Sequence, residues 1–343
     1  MGVKPFGKTN EGKETSLYSI ENEFIKIEVS DYGATLVSAT LKGNGIDVVQ
    51  GFTGVTGYQN EVQYMGQTIG RVCNRIGKGE FILNGVKFQL AKNNNGNSLH
   101  GGEKGFDQKI WIIEDQKNKL SCTYFSQNGE EGYPGNLEVK VIYSLLEDGF
   151  SFEYEGKSDQ DTLFNITNHA FFNLDGVSSN SALEHKIKIE ADYFASIDER
   201  GCTQDEVVEV KGTAFDFTRL KALGQDIDKD EVQLKHGNGY DHHFLVRGTG
   251  FRKFVECQGK EVKMILYSDC PGMHLYSANF LDGMSKSGKW GGKFPRRSSV
   301  CFETQYYPNA IQTKNNRKPI LKKGEELHHI TEFRFQIGGS HEN

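Results

Sequence analysis

The sequence predicts an all-β fold, a large antiparallel β-sandwich or barrel with few short helices. Apolar and polar residues alternate with a period of two in many short runs, whereas no long stretch shows the 3.6-residue period of a helix. The chain has 343 residues with 40 glycines and only 6 prolines, so its turns depend on glycine and asparagine, and 11% of its residues are aromatic. That composition is typical of a turn-rich β protein.

Strand-like runs follow one another along the whole chain. The clearest hairpin lies at 81–88, because Asn84-Gly85 between two apolar runs favours a two-residue turn. A turn at 147–149 joins alternating runs at 137–145 and 150–156. Further strand-like runs lie at 23–29, 34–41, 185–194, 243–248, 262–268 and 333–337. The charged segment 216–237 is expected to be a loop with at most one or two short helical turns.

No repeat, low-complexity tract or long linker divides the chain, so one domain over 1–343 is expected. The formal charge of −6 argues against a nucleic-acid or anionic-membrane partner. The N-terminus lacks the apolar core of a signal peptide, and no apolar run approaches the ~18 residues of a membrane-spanning helix. The 6 cysteines are scattered without a C-x-x-C pair, which favours free thiols in a reducing cytoplasm.

The stretch NITNHAFFNLDG at 165–176 places a histidine inside an aromatic, strand-like run. If 165–174 is extended, its side chains alternate between two faces. One face is apolar apart from Asn168, and the other is polar and centred on His169. We expect Asn168 to hydrogen-bond backbone groups inside the core. His169 taken alone is no proof of function, because a lone histidine is more often a hydrogen-bonded structural residue.

Residues suited to acid–base chemistry or to hydrogen bonding with a sugar gather in five segments. They are GRVCNRIGKG (70–79) with Arg71, Asn74 and Arg75, NNNGNSLHGGEKGFDQKIW (93–111) with His100, the stretch around His169, NGYDHHF (238–244) with Asp241, and CFETQYYPNA (301–310) with Glu303 and Gln305. The arginines are equally explained as surface cations. Asp241-His242-His243 resembles the metal-binding motif of some phosphoesterases, but the further ligands are missing, so no metal site is expected.

Glu303 is the most unusual of these residues, because the run 298–310 is otherwise neutral. A lone carboxylate there needs a partner or a ligand, since an unpaired buried charge is costly. No nucleophile elbow, phosphate loop, dinucleotide-binding glycine motif or zinc-protease motif accompanies it. Histidine and carboxylate groups, with arginine and amides to hold a neutral polar ligand, suit proton transfer on a sugar.

Together these segments resemble the galactose mutarotase, or aldose 1-epimerase, family. The matching strings, in the family's order, are GRVCNRIGKGEF, NSLHGGEKGFDQKIW, GYPGNL (132–137), NITNHAFFNL, GYDHHF, NFLDG (279–283) and ETQYYPNA. They cover most of the chain. The resemblance implies an all-antiparallel, single-domain β-sandwich with a broad sugar-binding cleft.

The resemblance also implies roles for individual residues. Glu303 is similar to the general base that takes the proton from the C1 hydroxyl of the sugar, and His169 to the general acid that protonates the ring oxygen. His100 is similar to the family's second site histidine, which binds the sugar near the reacting atoms. Asn74 and Arg75 match a pair that contacts the substrate. Such acid–base chemistry needs no metal, cofactor or covalent intermediate.

Two further positions concern the sugar hydroxyls. Asp241 matches the aspartate that holds ring hydroxyls in the family. His274 stands where members of the family often have a glutamine that binds a hydroxyl. Because histidine can also donate one hydrogen bond, we expect altered affinity or sugar preference rather than lost chemistry.

Three other functions remain open from the sequence. A non-catalytic sugar-binding or sensing protein would keep the cleft, although binding alone requires no positioned acid and base. A hexose-6-phosphate 1-epimerase would favour a basic cluster such as Lys293, Arg296 and Arg297. A glycosidase would use two carboxylates, for which only Glu303 and Asp241 lie in suitable segments. The expected partner is a small aldohexose, with galactose and glucose unranked, and the expected assembly is a monomer or weak homodimer.

Overall fold

The structure is a computed structural model that describes residues 2–61, 63–281, 288–315 and 317–338. Strands dominate these residues. In chain order the first are β1 Gly2–Lys8, β2 Glu14–Glu21, β3 Ile25–Ser30, β4 Thr35–Leu41, β5 Thr68–Ile69, β6 Arg75–Ile76, β7 Glu80–Leu83, β8 Val86–Gln89, β9 Ser98–Leu99, β10 Ile112–Gln116, β11 Lys119–Ser126, β12 Leu137–Leu146 and β13 Gly149–Ser158. They are followed by β14 Thr162–Leu163, β15 Thr167–Asn168, β16 Lys186–Ile189, β17 Ala191–Ile197, β18 Thr203–Glu209, β19 Lys221–Ala222, β20 Asp241–Val246, β21 Arg252–Gln258, β22 Val262–Ser268, β23 Gly272–Tyr276, β24 Cys301–Gln305, β25 Ile320–Leu321 and β26 Glu326–Ile337.

Helical structure in the described residues is confined to short turns. The α-helices are α1 Val55–Asn60 and α2 Val232–Gly237, and the 3₁₀ turns are Gly77–Gly79, Phe106–Gln108 and Glu130–Gly132. In the part of the chain that the structure describes, no helix has the length and apolar character needed to cross a membrane. The prediction of an all-β fold with few short helices is therefore confirmed.

Three large antiparallel sheets form the architecture. A four-stranded sheet has the order β1-β2-β3-β4, a nine-stranded sheet the order β10-β11-β12-β13-β26-β22-β21-β16-β19, and a five-stranded sheet the order β18-β17-β20-β23-β24. The main hydrophobic core joins all three, with Val29 from the first, Val141 and Phe152 from the second, and Phe244 and Leu275 from the third. This layered packing of antiparallel sheets is a β-sandwich.

Most of the predicted strands are present. The 81–88 hairpin is confirmed as β7 and β8, and Asn84 (φ 51°) and Gly85 (φ 79°) both take the positive φ that the expected turn requires. The runs at 137–145 and 150–156 are the long paired strands β12 and β13. The segment 216–237 is mainly loop with only the six-residue helix α2 and the two-residue strand β19, as expected.

Two predicted strands are not continuous, and both predictions were wrong in this respect. The run 185–194 is divided at Glu190 into β16 of the nine-stranded sheet and β17 of the five-stranded sheet, because the chain crosses here from one sheet to the other. The run 165–174 contains only β15 and isolated bridges at Asn165 and Phe172. Its packing onto two sides is retained, since Phe172 lies in the main core and Phe171 lies in a second cluster.

The polar residue on the apolar side of that stretch behaves as expected. Asn168 is buried, and its amide donates a hydrogen bond of 2.7 Å to the backbone oxygen of Gly66. The backbone of the next residue, His169, exchanges hydrogen bonds with the same segment, donating to Gln67 and accepting from Gly66. The two backbone hydrogen bonds of His169 fix the position of this residue independently of its side-chain contacts.

Candidate active site

All seven residues predicted for the site line one cavity of about 310 Å³. Its walls come from elements far apart in the chain. The predicted residues in the lining are Asn74, Arg75, His100, His169, Asp241, His274 and Glu303, and the others are Gln63, Tyr64, Asn94, Asn95, Leu99, Tyr276 and Phe280. A wider surface groove of about 830 Å³ between Asp192 and Lys229 has no histidine among the described residues that line it. The smaller cavity is therefore the candidate active site.

The five-stranded sheet builds the floor of the cavity. His274 on β23 pairs directly with Glu303 on β24, and Tyr276 on β23 pairs with Asp241 on β20. Residues opposite each other in an antiparallel ladder point to the same side, so these four side chains share one face. The intervening residues, such as Leu275 and Phe302, enter the main core on the other face. Period-two alternation thus fixes which residues reach the cavity.

His169 and Glu303 face each other across the deepest part of the cavity. The distance between His169 Nε2 and Glu303 Oε1 is 3.5 Å, and the side chains are only 6% and 2% exposed. The imidazole stacks on Phe171, with ring centroids 5.1 Å apart. Within the described residues, neither His169 Nδ1 nor Glu303 Oε2 has a hydrogen-bond partner. Buried polar atoms are usually paired, and these two unpaired atoms belong to residues that line the cavity, where a ligand can complete their hydrogen bonds.

His100 is held as a neutral hydrogen-bond donor. Its Nδ1 accepts the backbone N–H of Asn74 at 3.2 Å, so in the neutral ring the proton lies on Nε2. Burial lowers the pKa of His100 well below its usual value, and the nearby His169 and Arg75 lower it further. Its ring lies 5.4 Å from that of His169 and 4.6 Å from that of Tyr64. The geometry suits a neutral donor beside the acid–base pair.

A chain of polar contacts links the floor of the cavity to Arg75 and Asn94. Asp241 Oδ1 accepts a hydrogen bond from His274 Nε2 at 2.7 Å, while Arg75 approaches Asp241 Oδ2 at 3.9 Å. Arg75 Nε also donates to Asn94 Oδ1 at 2.9 Å. Although burial would raise the pKa of Asp241, the hydrogen bond from His274 and the charge of Arg75 hold it below its usual range. Asp241 is thus an ionised acceptor for hydroxyl groups.

Four lining residues have a left-handed backbone. The φ angles are 60° at Tyr64, 59° at Asn74, 49° at Asn95 and 53° at His100. Asparagine tolerates this region, but for tyrosine and histidine it is uncommon and is held only by the surrounding structure. Gly101, next to His100, has a φ of 91°, and a Cβ there would lie 1.9 Å from the backbone oxygen of Gly70. Gly101 is therefore required by a close approach of two backbone segments, whereas a Cβ at Gly102 would meet the side chain of Glu131.

Arg71 does not have either of the two positions that its segment suggested. It is neither a surface cation nor a cavity residue, because it is buried and its terminal nitrogens donate to the segment that follows β11 and to the GYPGNL turn. The acceptors are the backbone oxygens of Pro134, Gly135, Ser126 and Gln127 and the hydroxyls of Ser126 and Thr162. Arg71 therefore has a structural role.

The Asp-His-His string does not form a metal-binding group. Asp241 and His243 lie on one face of β20, whereas His242 lies on the other and contacts Gln233. In the described ranges one group of three potential ligands occurs elsewhere, formed by Asp269, Cys270 and His329. Its members are otherwise engaged, since Asp269 Oδ1 accepts from His329 Nδ1 and from a backbone N–H.

The sequence did not indicate several residues of the cavity. Tyr276 could have been found, because it lies two residues after His274 on the same strand. Asn94 and Asn95 belong to the asparagine-rich part of a predicted segment but were not singled out. Tyr64 carries no motif, and Phe280, which is 49% exposed, stacks on Tyr276 at 6.3 Å. Phe280 belongs to the matching string NFLDG, whose Asp282 and Gly283 lie outside the described residues.

Comparison with known proteins agrees with this geometry. The family model described as aldose 1-epimerase matches residues 16–334. The chain is 38% identical to the galactose mutarotase of Bos taurus over 326 residues, covering 93% of this chain and 94% of that protein. It is 37% identical to the galactose mutarotase of Sus scrofa, covering 97% of each. The solved structure of galactose 1-epimerase from Lactobacillus acidophilus superposes with a TM-score of 0.87 at 26% identity, covering 98% of each chain.

Proposed function

The chain belongs to the aldose 1-epimerase family and is an isomerase, and we propose that Glu303 and His169 carry its reaction on a free aldohexose such as D-galactose or D-glucose. The observation that supports this assignment is the buried pair itself. A carboxylate and an imidazole 3.5 Å apart, each with an unpaired atom among the described residues, can transfer protons in both directions. Imidazole groups in general suit this exchange, because histidine can give and retake a proton near neutral pH.

The reaction requires two proton transfers in each direction. Glu303 takes the proton from the C1 hydroxyl while the bond between C1 and the ring oxygen breaks. The electron pair of that bond goes to the ring oxygen, which takes a proton from the protonated His169. Rotation about C1–C2 then presents the other face of the aldehyde. Reclosure reverses both transfers, so protons and electrons balance and no metal, cofactor or covalent intermediate is consumed.

The remaining predicted residues hold the sugar. Asp241 offers a charged acceptor and Arg75 a charged donor, which together form strong hydrogen bonds with hydroxyl groups. Asn74 and the neutral His100 add further polar contacts at the same side of the cavity. Fixing the sugar in this way lowers the entropic cost of bringing C1 and the ring oxygen to Glu303 and His169.

The alternative functions fit the cavity less well. A phosphorylated hexose would bring negative charge, yet the described lining has two carboxylates and, apart from its histidines, one cationic side chain, Arg75. Arg296 instead donates to backbone oxygens of Asn279 and Asn238, and Arg297 pairs with Asp228. A binding protein would not require a buried carboxylate oxygen such as Glu303 Oε2, which has no hydrogen-bond partner among the described residues, because burying such an atom is costly. A glycosidase would need a second free carboxylate, whereas Asp241 is hydrogen-bonded to His274.

We also propose that one chain suffices for activity, as a monomer or weak homodimer, because one chain supplies all the residues of the lining that the structure describes. The whole chain is expected to act as one domain. Its 6 cysteines are buried and free, which favours the reducing cytoplasm as its location. Size-exclusion chromatography with light scattering will measure the assembly, and an obligate dimer with inactive monomers would contradict the first point.

Polarimetry tests the function directly. Crystalline α-D-glucose or α-D-galactose is dissolved, and the change in optical rotation is followed with and without the protein. We expect the protein to accelerate the change for the free sugars and much less for the 6-phosphates. Acceleration limited to the 6-phosphate would favour the phosphohexose alternative, and no acceleration of any sugar would favour a binding protein.

A further inference from the structure

His274 uses both of its ring nitrogens within the protein. It lies on β23, is 2% exposed, and lines the wall of the cavity. Its Nε2 lies 2.7 Å from Asp241 Oδ1, and its Nδ1 lies 3.3 Å from Asn74 Nδ2. A ring with both nitrogens occupied has no strong hydrogen bond left for a sugar hydroxyl.

The neighbouring groups determine where the proton of His274 lies. Asn74 Oδ1 already accepts the backbone N–H of Arg75 at 2.8 Å. The amide NH₂ of Asn74 therefore faces His274, and because an NH₂ group only donates, Nδ1 of the ring must accept. The remaining proton lies on Nε2, which donates to the carboxylate of Asp241. This arrangement requires the neutral form of His274.

The contacts of His274 connect the groups proposed to hold the sugar. Asp241 is one, and Asn74 is another, which also holds His100 through its backbone N–H. We infer that His274 is a positioning residue that aligns Asp241 and Asn74 for the sugar and makes sugar affinity fall when the ring is protonated. The inference rests on the proposed function, because it concerns how the same cavity binds its substrate.

Protonation of the ring would disturb one contact and strengthen the other. A second proton on Nδ1 would point at the NH₂ group of Asn74, so that contact would be lost. The amide could turn to offer its oxygen, but it would then release the backbone N–H of Arg75. At the same time the imidazolium would pair with Asp241 and compete with sugar hydroxyls for the carboxylate. Both changes weaken sugar binding.

Several ionisable groups surround His274 and act on it together. Asp241 and His243 lie on β20, Glu303 is its partner on β24, and Arg75 and His100 approach from the opposite wall. His242 lies on the other face of β20. In a variant substituted only at His274, all of these neighbouring groups are still present. A difference between that variant and the wild type therefore reports the effect of the His274 ring alone.

Glutamine is the matched substitution. Its amide nitrogen can donate to Asp241 while its oxygen accepts from Asn74, which reproduces the pattern of the neutral ring, and it does not become protonated near neutral pH. Leucine has similar bulk but makes neither bond. We expect His274→Leu to raise KM by about tenfold or more with a smaller change in kcat, and His274→Gln to recover most of that loss.

The pH profile is the decisive measurement. When the pH is lowered from neutral into the acid range, we expect the KM of the wild type to rise about threefold or more, and that of His274→Gln to stay nearly constant. His243→Gln is the control, because His243 is a buried neighbour of His274 that does not line the cavity, and it should keep the profile of the wild type.

The outcomes separate this inference from the proposed function. A wild type that accelerates no sugar would contradict the proposed function. A wild type that is active, with KM profiles that superpose for wild type and His274→Gln, would contradict the inference alone. If His274→Leu does not fold, the comparison of His274→Gln with His243→Gln still decides the question.

Discussion

Arg71 and the pair of His169 and Glu303 are equally buried but differ in their hydrogen bonding. The terminal nitrogens of Arg71 donate to six acceptors, which include Pro134 O at 2.7 Å and Ser126 Oγ at 2.6 Å. The pair has a carboxylate oxygen and a ring nitrogen without a partner among the described residues, and both belong to residues of the cavity wall. Arg71 stands four residues before Arg75, yet only Arg75 reaches the cavity.

The difference shows which buried charges serve the fold and which serve a ligand. A buried ion such as Arg71, whose two terminal nitrogens are hydrogen-bonded to several protein acceptors, stabilises the segments that it joins, and removing it leaves those acceptors unpaired. A buried ion left incomplete beside a cavity lowers stability until a ligand completes it. Such sites therefore lose activity, and not stability, when they are neutralised.

Glu303→Gln is expected to give the largest effect. The amide keeps the shape of the side chain but cannot accept the C1 proton, so kcat should fall at least ~10²-fold. The free energy of unfolding should stay the same or rise, because an unpaired buried charge is removed. Polarimetry and thermal unfolding measure the two quantities. Near wild-type turnover in this variant would remove Glu303 from the role of base.

His169→Asn should reduce kcat by a similar factor, about 10²-fold or more, because asparagine cannot deliver a proton to the ring oxygen. His185→Asn is the matched control. His185 is also buried, but its Nε2 accepts the backbone N–H of Leu174 at 2.8 Å, outside the cavity. The control should lose stability and keep its kcat. If both variants lost the same activity, His169 would have no special role in proton transfer.

Arg71→Lys is expected to show the opposite pattern. Lysine has three donors on one nitrogen and cannot reach all the acceptors of Arg71, so the free energy of unfolding should fall by about 2–3 kcal/mol. The kcat of the folded protein should change little. Arg75→Lys is the control within the same segment, and it should raise KM with less loss of stability. A large fall in kcat for Arg71→Lys would contradict its purely structural role.

The sequence predicted the fold well where the period of two was regular. The paired strands β12 and β13 and the hairpin of β7 and β8 follow directly from alternation and from Asn84-Gly85. The crossing between sheets at Glu190 was not predicted, because a strand that changes sheets keeps its local alternation. The stretch around His169 looks like a strand for the same reason, although tertiary contacts leave only β15 paired.

The sequence predicted which residues belong to the candidate site but not which contacts they make. Motif resemblance identified seven of the residues that line the cavity, yet it could not separate Arg71 from Arg75, since both carry the same charge in the same string. Separating them requires knowing that the GYPGNL turn packs against Arg71. Tyr64 was missed because its contact with His100 joins two distant segments and leaves no local pattern.

Asp107 extends the comparison to a buried carboxylate that neither completes a network like that of Arg71 nor lines the cavity. It is 3% exposed on the 3₁₀ turn Phe106–Gln108, and burial raises its pKa to about 7, although hydrogen bonds lower it in part. In the unfolded chain the pKa of an aspartate is about 3.9. Its folded-state pKa is the higher one, so its contribution to stability is complete below about pH 4 and is lost as the pH rises towards 7.

Asp107→Asn should remove this loss of stability. The free energy of unfolding should therefore rise by about 1–3 kcal/mol at neutral pH, which is the smallest of the expected effects. The midpoint of thermal unfolding of the variant, relative to the wild type, should rise between about pH 4.5 and pH 7.5. Asp226→Asn should behave in the opposite way. Although burial would raise the pKa of Asp226, its hydrogen bonds and ion pairs with Lys221 and Lys229 lower it, so its contribution to stability is present at neutral pH and lost in acid. A pH-independent difference for Asp107→Asn would mean that hydrogen bonds compensate the burial of its carboxylate.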